Sequence, residues 1–522
     1  MKNATQLLKN TLMLATSNIV LRLLSLCFQA FLAAKIGAGE LGLFGIVSSV
    51  GVVFATVAIS GVRFGVTRLA AKQYSIGNKY PRKLMRTAFV YGAFFGLVSF
   101  SVLFFAAEFF SGHWVMNQSA TRPLRIMALS MPFISLGAVA EGYFTAKQKV
   151  FRLVGAELFA QIVRVAFVWL FLQSPGDLFS SSAEILASGA LTGEVVLSVS
   201  LFALYAFEVR GKKDCISAEN SGMELVKTSL PLAVSAYMRT GLSSLGQVII
   251  PRGLRKSGMN TKTAFSTYGV ITQMAFPVVM FPAALLGALG EVLVPRLTGA
   301  QENGHRISIS YIVNRALRIG VIFSLGVMGG MLFFAEKLGD CLYSSKEAGN
   351  YIKLFAPLLP VIYIDCVTDG CLKGLGQQVH SMVYNVLEGI LNVTLLFFLL
   401  PAMSIKGYVI VMYIKEIFNA VLSFRRLCKV SCVERNISVV LCALTAVILS
   451  RLFLGIVMPQ SGLWSGLAVY LCFYLVLLYV LNAVTRDDLR WVVSLIKPDN
   501  CTNFEEKTKK PVRGVDKRLS HW

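Results

Sequence analysis

Charge is scarce in this sequence, and histidine scarcer still. Of 522 residues, 15% are charged and four are histidine, whereas an ordinary soluble domain carries about 25% charged residues. A soluble globular class is thereby excluded. The histidines (His113, His305, His380, His521) are scattered, and no zinc-type helix motif, Gly-rich phosphate loop or nucleophile turn occurs. These gaps argue against an enzyme, a bound cofactor and a nucleotide-driven pump. None of the ten cysteines (Cys27, Cys215, Cys341, Cys366, Cys371, Cys428, Cys432, Cys442, Cys472, Cys501) stands in a metal-type spacing, so they read as small hydrophobes.

What the chain has instead is hydrocarbon: 55% hydrophobic residues and a mean hydropathy of +0.66. Apolar stretches of about 17 to 25 residues, each able to cross a hydrocarbon core of roughly 30 Å as a helix, recur along most of its length. Barrel strands would be shorter and alternating. The sequence predicts an all-α polytopic membrane protein of about fourteen spans. Their ranges are 12–34, 41–61, 87–107, 124–141, 154–172, 182–207, 228–250, 267–293, 316–334, 351–369, 381–400, 405–424, 437–457 and 463–484. Lys2 and Lys9 precede the first apolar run as in a secretory signal, but that run continues past Arg22, which reads as a retained span.

The net charge of +23 lies between the spans rather than in a nucleic-acid patch. With the ends placed inside, about 33 of the basic residues fall inside and about 11 outside, the bias expected of cytoplasmic loops. Both termini are therefore expected in the cytosol. The loop after span two is richest, with Arg63, Arg68, Lys72, Lys79, Arg82, Lys83 and Arg86. One loop dissents: Arg252, Arg255, Lys256 and Lys262 follow span seven on the expected outer side. The tail around Lys507, Lys510 and Arg518 suits anionic lipid.

A long internal repeat appears at a separation of about 217 to 228 residues, of the kind found in transporters. Arg22 on span one matches Arg239 on span seven, Arg68 and Leu69 match Arg296 and Leu297, and Glu141 and Gly142 match Asp369 and Gly370. The expected domains are a short N-terminus (1–11), an N-lobe (12–210), a cytosolic linker (211–227), a C-lobe (228–426), two further spans (437–484) and a basic cytosolic tail (485–522).

A charge at mid-bilayer costs about 2.5 to 3.5 kcal/mol on insertion scales, so such residues normally face a partner or a watery cavity. The candidates are Arg22 and Arg239, the stripe Glu157, Gln161 and Arg164 on span five, and its repeat counterpart Asn385, Glu388 and Asn392 on span eleven. Each stripe keeps to one helix face. Asp365 and Asp369, Glu194, and the neighbours Lys415 and Glu416 complete the set. An arginine-lined cavity would suit an anionic substrate, because guanidinium binds phosphate oxygens in pairs. The competing reading makes Glu157 with Arg164, and Lys415 with Glu416, structural ion pairs, and lets long basic chains reach the interface. Pro277 and Pro282 should interrupt span eight, and Pro357 and Pro360 span ten.

The segment LPLAVSAYMRTGLSSLGQVIIPRGL from Leu230 to Leu254, followed by YGVITQMAFPVVMFPAALLGALGEVLVPRL from Tyr268 to Leu297, resembles the stage V sporulation protein B and polysaccharide-biosynthesis flippases, as does EGYFTAKQ from Glu141 to Gln148. The resemblance extends to the superfamily of lipid II flippases and multidrug and toxin extrusion carriers. It implies two six-helix lobes plus two C-terminal helices. It also implies alternating access, with a polyprenyl-diphosphate-linked sugar precursor for peptidoglycan, spore cortex or polysaccharide moved outward across a bacterial plasma membrane. The expected partners are that lipid-linked glycan, membrane lipids and a coupling ion, Na+ or H+. Of the family's diphosphate-associated cations only Arg22 carries over, and span seven lacks the acidic residue of some relatives between Leu225 and Arg252. The alternative is an ion-coupled multidrug/cation antiporter of the same fold, which would favour acidic rather than basic residues in its cavity.

Overall fold

A chain in hydrocarbon must satisfy every backbone N–H and C=O internally, and this one does so with helices throughout. The computed structural model describes residues 2–75, 81–173, 179–210, 221–434, 437–457, 462–488 and 490–491. Lys212, Lys213 and Asp214 of the expected linker, and Lys507, Lys510 and Arg518 of the expected tail, lie outside them. The first half contains α1 (Lys2–Ile59), α2 (Val62–Ser75), α3 (Arg82–Phe105), α4 (Ala107–Phe109), α5 (Thr121–Ala146), α6 (Val150–Gln173) and α7 (Ser182–Val209). Then come α8 (Ser221–Lys256), α9 (Thr261–Gly269), α10 (Phe276–Met280), α11 (Ala283–Glu302), α12 (Arg306–Tyr343), α13 (Lys346–Phe355), α14 (Leu359–Gly374) and α15 (Gln378–Val430). The pair α16 (Ile437–Val457) and α17 (Leu463–Val480) ends the described helices.

Among the described residues, eleven helical segments are long and apolar enough to cross a membrane, fewer than the sequence suggests, and the difference has a physical origin. At roughly 1.5 Å per residue, α1 would be about 87 Å long if straight, far beyond a bilayer. It turns at Gly37 (φ 77, ψ 170), a conformation that glycine alone adopts freely. Gln273 lies against both sides of that turn, 3.5 Å from the Gln29 amide and 2.5 Å from where a Cβ at Gly45 would sit. Likewise α15 reverses at Ser404 (φ 53, ψ −132), after Pro401. Glu388 and Lys415, 27 residues apart, meet there at 3.1 Å. Each of these continuous helices therefore folds back on itself, as two separate spans would. The helix α8, interrupted by Pro231 and carrying Arg239, is too polar to be among the eleven.

The expected proline breaks are present. Span eight is divided into α9, a π-turn at Val270–Ala275, α10 and α11, and span ten by a 3-10 turn at Ala356–Leu358. Two packed sets surround α1. One joins α2, α3, α5, α6 and α7; the other joins α11, α12, α13, α14 and α15, with α8 against α15. Small residues bring these helices close: Gly92 and Gly96 receive Ser135 and Pro132. The pair α16 and α17 lies on α12, where Tyr470 and Tyr474 donate to the carbonyls of Gly326 (2.9 Å) and Ile322 (2.8 Å).

Polar cross-links sort the turns onto two faces. On the near face, where the chain begins, Glu208 collects Lys147 (2.5 Å), Lys149 (2.7 Å) and Arg152, while Asp488 collects Arg315 and Arg318. On the far face Arg125 meets Glu108 at 2.8 Å and Lys353 meets Glu336 at 3.3 Å.

Candidate functional site

Arg22 projects from the first half of α1, exposed, and makes no hydrogen bond or ion pair among the described residues. One turn earlier Asn18 donates to Glu291 of α11 at 3.4 Å, and the charge of Arg22 falls within electrostatic range of Glu291 and Cys366. Arg22 thus faces the second helix set, although it belongs to the first hairpin. Arg239 is also exposed and without a described partner, on α8. Its neighbours hold α8 against the second half of α1, Tyr237 donating to Ser60 at 2.7 Å and Thr240 lying 3.4 Å from Thr56. No described contact joins the two arginines.

The stripe Glu157, Gln161 and Arg164 is half-buried on α6. The expected Glu157 to Arg164 ion pair is not formed. Seven residues put two groups on one face but roughly 10.5 Å apart along the axis, so each seeks other helices. Glu157 faces Glu141 of α5 and Arg63 of α2, which pair with each other at 3.1 Å. Arg164 faces Glu194 of α7, and Gly193 leaves it room, since a Cβ there would sit 3.3 Å from that of Arg164. Its Nε is buried with no hydrogen-bond partner. Gly142 is fixed by the same approach: an added Cβ would stand 2.7 Å from the Arg63 carbonyl oxygen.

The second stripe lies on the first arm of α15. Glu388 is held by Lys415 (3.1 Å), which also binds Glu416 at 2.6 Å, so the structural reading of that neighbouring pair holds and extends to a third residue. Asn392 packs where Gly246 of α8 leaves space, and Asn385 is half-buried nearby on the helix. Behind them Asp365 accepts from Asn419 at 2.9 Å, and Asp369 binds Lys373 (2.9 Å) and Ser381. Among the described residues no group of His, Cys, Asp and Glu has a metal-binding arrangement.

Two contributors were not singled out as site residues from sequence, Arg63 and Glu291. The repeat supplies the missing signal: the offset of 228 that carries Glu141 onto Asp369 also carries Arg63 onto Glu291. Toward the far face α1 and α9 meet backbone to backbone. A Cβ on Gly42 would strike the carbonyl of Phe265, and one on Gly269 that of Ala38, so α1 and α9 touch there with nothing between them.

Comparison with known proteins agrees with this geometry. The chain is 22% identical over 506 residues to stage V sporulation protein B of Bacillus subtilis (strain 168), covering 92% of this chain and 97% of that one. It is 19% identical over 441 residues to the lipid II flippase MurJ of the same organism, covering 78% and 80%. Among solved structures, a lipid II flippase MurJ in an inward closed conformation superposes with a TM-score of 0.70 at 13% identity, covering 90% of this chain and 98% of that one. An inward-facing multidrug resistance MATE family transporter gives 0.62 at 12%, covering 80% and 98%. The MatE family model matches residues 257–398, and that of the polysaccharide biosynthesis proteins residues 7–301. This multi-pass membrane protein belongs to the polysaccharide biosynthesis protein family, within the superfamily that also holds the MurJ flippases and MATE transporters.

Proposed function

We propose that this transporter is a flippase that moves a polyprenyl-diphosphate-linked sugar precursor outward by alternating access, in a bacterial plasma membrane with both termini cytosolic. The observation that carries the reading is the pair of exposed arginines without described partners, Arg22 and Arg239, on helices of the two halves. An arginine at mid-span is tolerated when water or an anion compensates it. A diphosphate presents enough oxygens for two guanidinium groups to engage at once. The two lobes are 12–210 and 228–426, and the stripes Glu157, Gln161, Arg164 and Asn385, Glu388, Asn392 line the sugar's path with amide, carboxylate and guanidinium groups. The backbone seal at Gly42 and Gly269 makes the observed state one that is shut on the far face. The basic near face supports a cytosolic placement, and the name of the lipid II flippase relative suggests the substrate class.

A second reading, ion-coupled export of an organic cation, is favoured by one feature: the half-buried carboxylates Asp365, Glu388 and Glu416 in the C-terminal half. A Na+ or H+ coupling ion is compatible with either reading. The deciding experiment measures flipping of a polyprenyl-diphosphate disaccharide in proteoliposomes containing Arg22→Lys, Arg239→Lys or both, at equal protein incorporation. The flippase reading expects each single variant to lose much of the flipping and the double variant nearly all, because ammonium cannot replace the bidentate contact. Near-normal flipping by the double variant overturns the diphosphate clamp, and export of an organic cation by the wild type without flipping selects the second reading.

A further inference from the structure

The loop that breaks the charge rule lies at the end of α8, and the structure gives it a shape. Arg252, Arg255 and Lys256 border a cavity of about 660 Å³ on the far face, floored by Ile249, Leu396, Phe397 and Pro401. Residues from both halves meet there, because Met116 closes one side and accepts from Arg255 Nη1 at 3.3 Å. Lys256 stands 5.6 Å over the ring of Phe397, a side chain 56% exposed on the outside of the helix bundle. Among the described residues no carboxylate lines the cavity. Arg252 Nε is buried and has no hydrogen-bond partner. Cations in the last turn of a helix complement its dipole. That effect explains neither an orphaned guanidinium donor nor an apolar floor continuous with the lipid-facing surface.

We infer that this cavity holds the phosphate headgroup of one anionic phospholipid from the far leaflet, its acyl chains lying along Phe397. Three cations around an acid-free pocket supply charge complementarity, and the buried N–H of Arg252 awaits an acceptor of the kind a phosphate oxygen provides. The floor accounts for the glycerol backbone and upper methylenes, which a free anion would not need. Because Met116 comes from the other half, the lipid is held most tightly when the far face is shut, and its occupancy depends on the transport state.

The test is native mass spectrometry of the delipidated full chain titrated with phosphatidylglycerol or phosphatidylcholine, with R255Q/K256Q as the variant, since both side chains are exposed. The expected result is one preferred phosphatidylglycerol, at least about fivefold over phosphatidylcholine, a preference lost in the variant. A photoreactive phosphatidylglycerol should also crosslink within 249–261 or 396–401. Equal binding of the two lipids, an undiminished preference in the variant, or crosslinks confined to other segments overturns the assignment. Displacement of the bound lipid by millimolar inorganic phosphate, or binding of a polyprenyl phosphate in place of phosphatidylglycerol, overturns it as well, by showing that the site takes another phosphate.

Discussion

Arg63 and Glu141 occupy positions in the first half of the molecule that are matched, 228 residues later, by Glu291 and Asp369 in the second. In the first half they form an ion pair at 3.1 Å between helices of one set, with Glu141 largely buried and Arg63 exposed. In the second both are carboxylates that take separate partners: Asp369 turns to Lys373 and Ser381, and Glu291 reaches across to Asn18 on α1. The same duplicated backbone therefore confines charge inside one half and directs it toward the opposite half in the other. A repeat preserves helix packing, which small residues such as Gly142 and Gly370 enforce, while leaving the electrostatics free to diverge. That divergence suits a carrier whose halves must bind one asymmetric substrate between them.

The largest effect is expected where both halves are joined by backbone. Gly42→Leu places a side chain against the Phe265 carbonyl, and a clash that disfavours the shut state by about 3 kcal/mol lowers its population roughly a hundredfold. Flipping should collapse while membrane abundance holds, and thiol accessibility of a cysteine introduced at position 38 should rise; unchanged accessibility would show that this seam is not the far-face closure. Next comes Lys415→Met, which strands Glu388 and Glu416 together in a site where each is less than one-fifth exposed. Removing the shared cation should cost about 3 kcal/mol, read as a fall in the detergent melting temperature, with partial rescue on adding Glu388→Gln.

The comparison between halves is sharpened directly by Arg63→Gln against Glu291→Gln. Loss of Arg63 leaves Glu141, 14% exposed, without its cation, and should destabilise by about 1 to 2 kcal/mol. Glu291→Gln keeps a hydrogen-bond acceptor for Asn18 and removes only a charge near Arg22, so stability should change by less than about 0.5 kcal/mol while flipping changes. Equal thermal shifts in the two variants would break the distinction drawn between a confined and a crossing charge. The smallest effect is expected from Lys72→Ala: its bond to Glu224 at 2.7 Å is exposed on both sides, and such pairs contribute about 0.2 to 1 kcal/mol.

Much of this architecture is legible in the sequence because a bilayer enforces it. The apolar runs, the breaks at Pro277, Pro282, Pro357 and Pro360, and the placement of Arg22 and Arg239 on matched spans follow from length, proline chemistry and order along the chain. Pairing was less legible. Spacing on α6 correctly put Glu157 and Arg164 on one face, but the charged groups they face, Arg63 with Glu141 and Glu194, arrive from other helices, and no periodicity encodes which neighbour a helix will have. Lys415 and Glu416 were readable as a pair only because they are adjacent; the third member, Glu388, comes from the other arm of α15, before the turn at Ser404. Glu291 could have been found by extending the repeat to a position where it conserves place and reverses sign.

The seam at Gly42 and Gly269 has a consequence for hydration. Where two helices meet through leucines, parting them exposes methyl groups to water, and that hydrocarbon exposure resists opening. Here glycine α-carbons approach the peptide oxygens of Ala38 and Phe265, an approach of the kind that C–H···O contacts of about 0.5 to 1 kcal/mol each accompany. Peptide groups are wetted readily, so the glycine positions themselves add little to the apolar area hydrated on parting; the neighbouring Leu41, Phe265 and Tyr268, all buried, supply it. The heat-capacity signature of opening should therefore report those side chains rather than the glycine contacts.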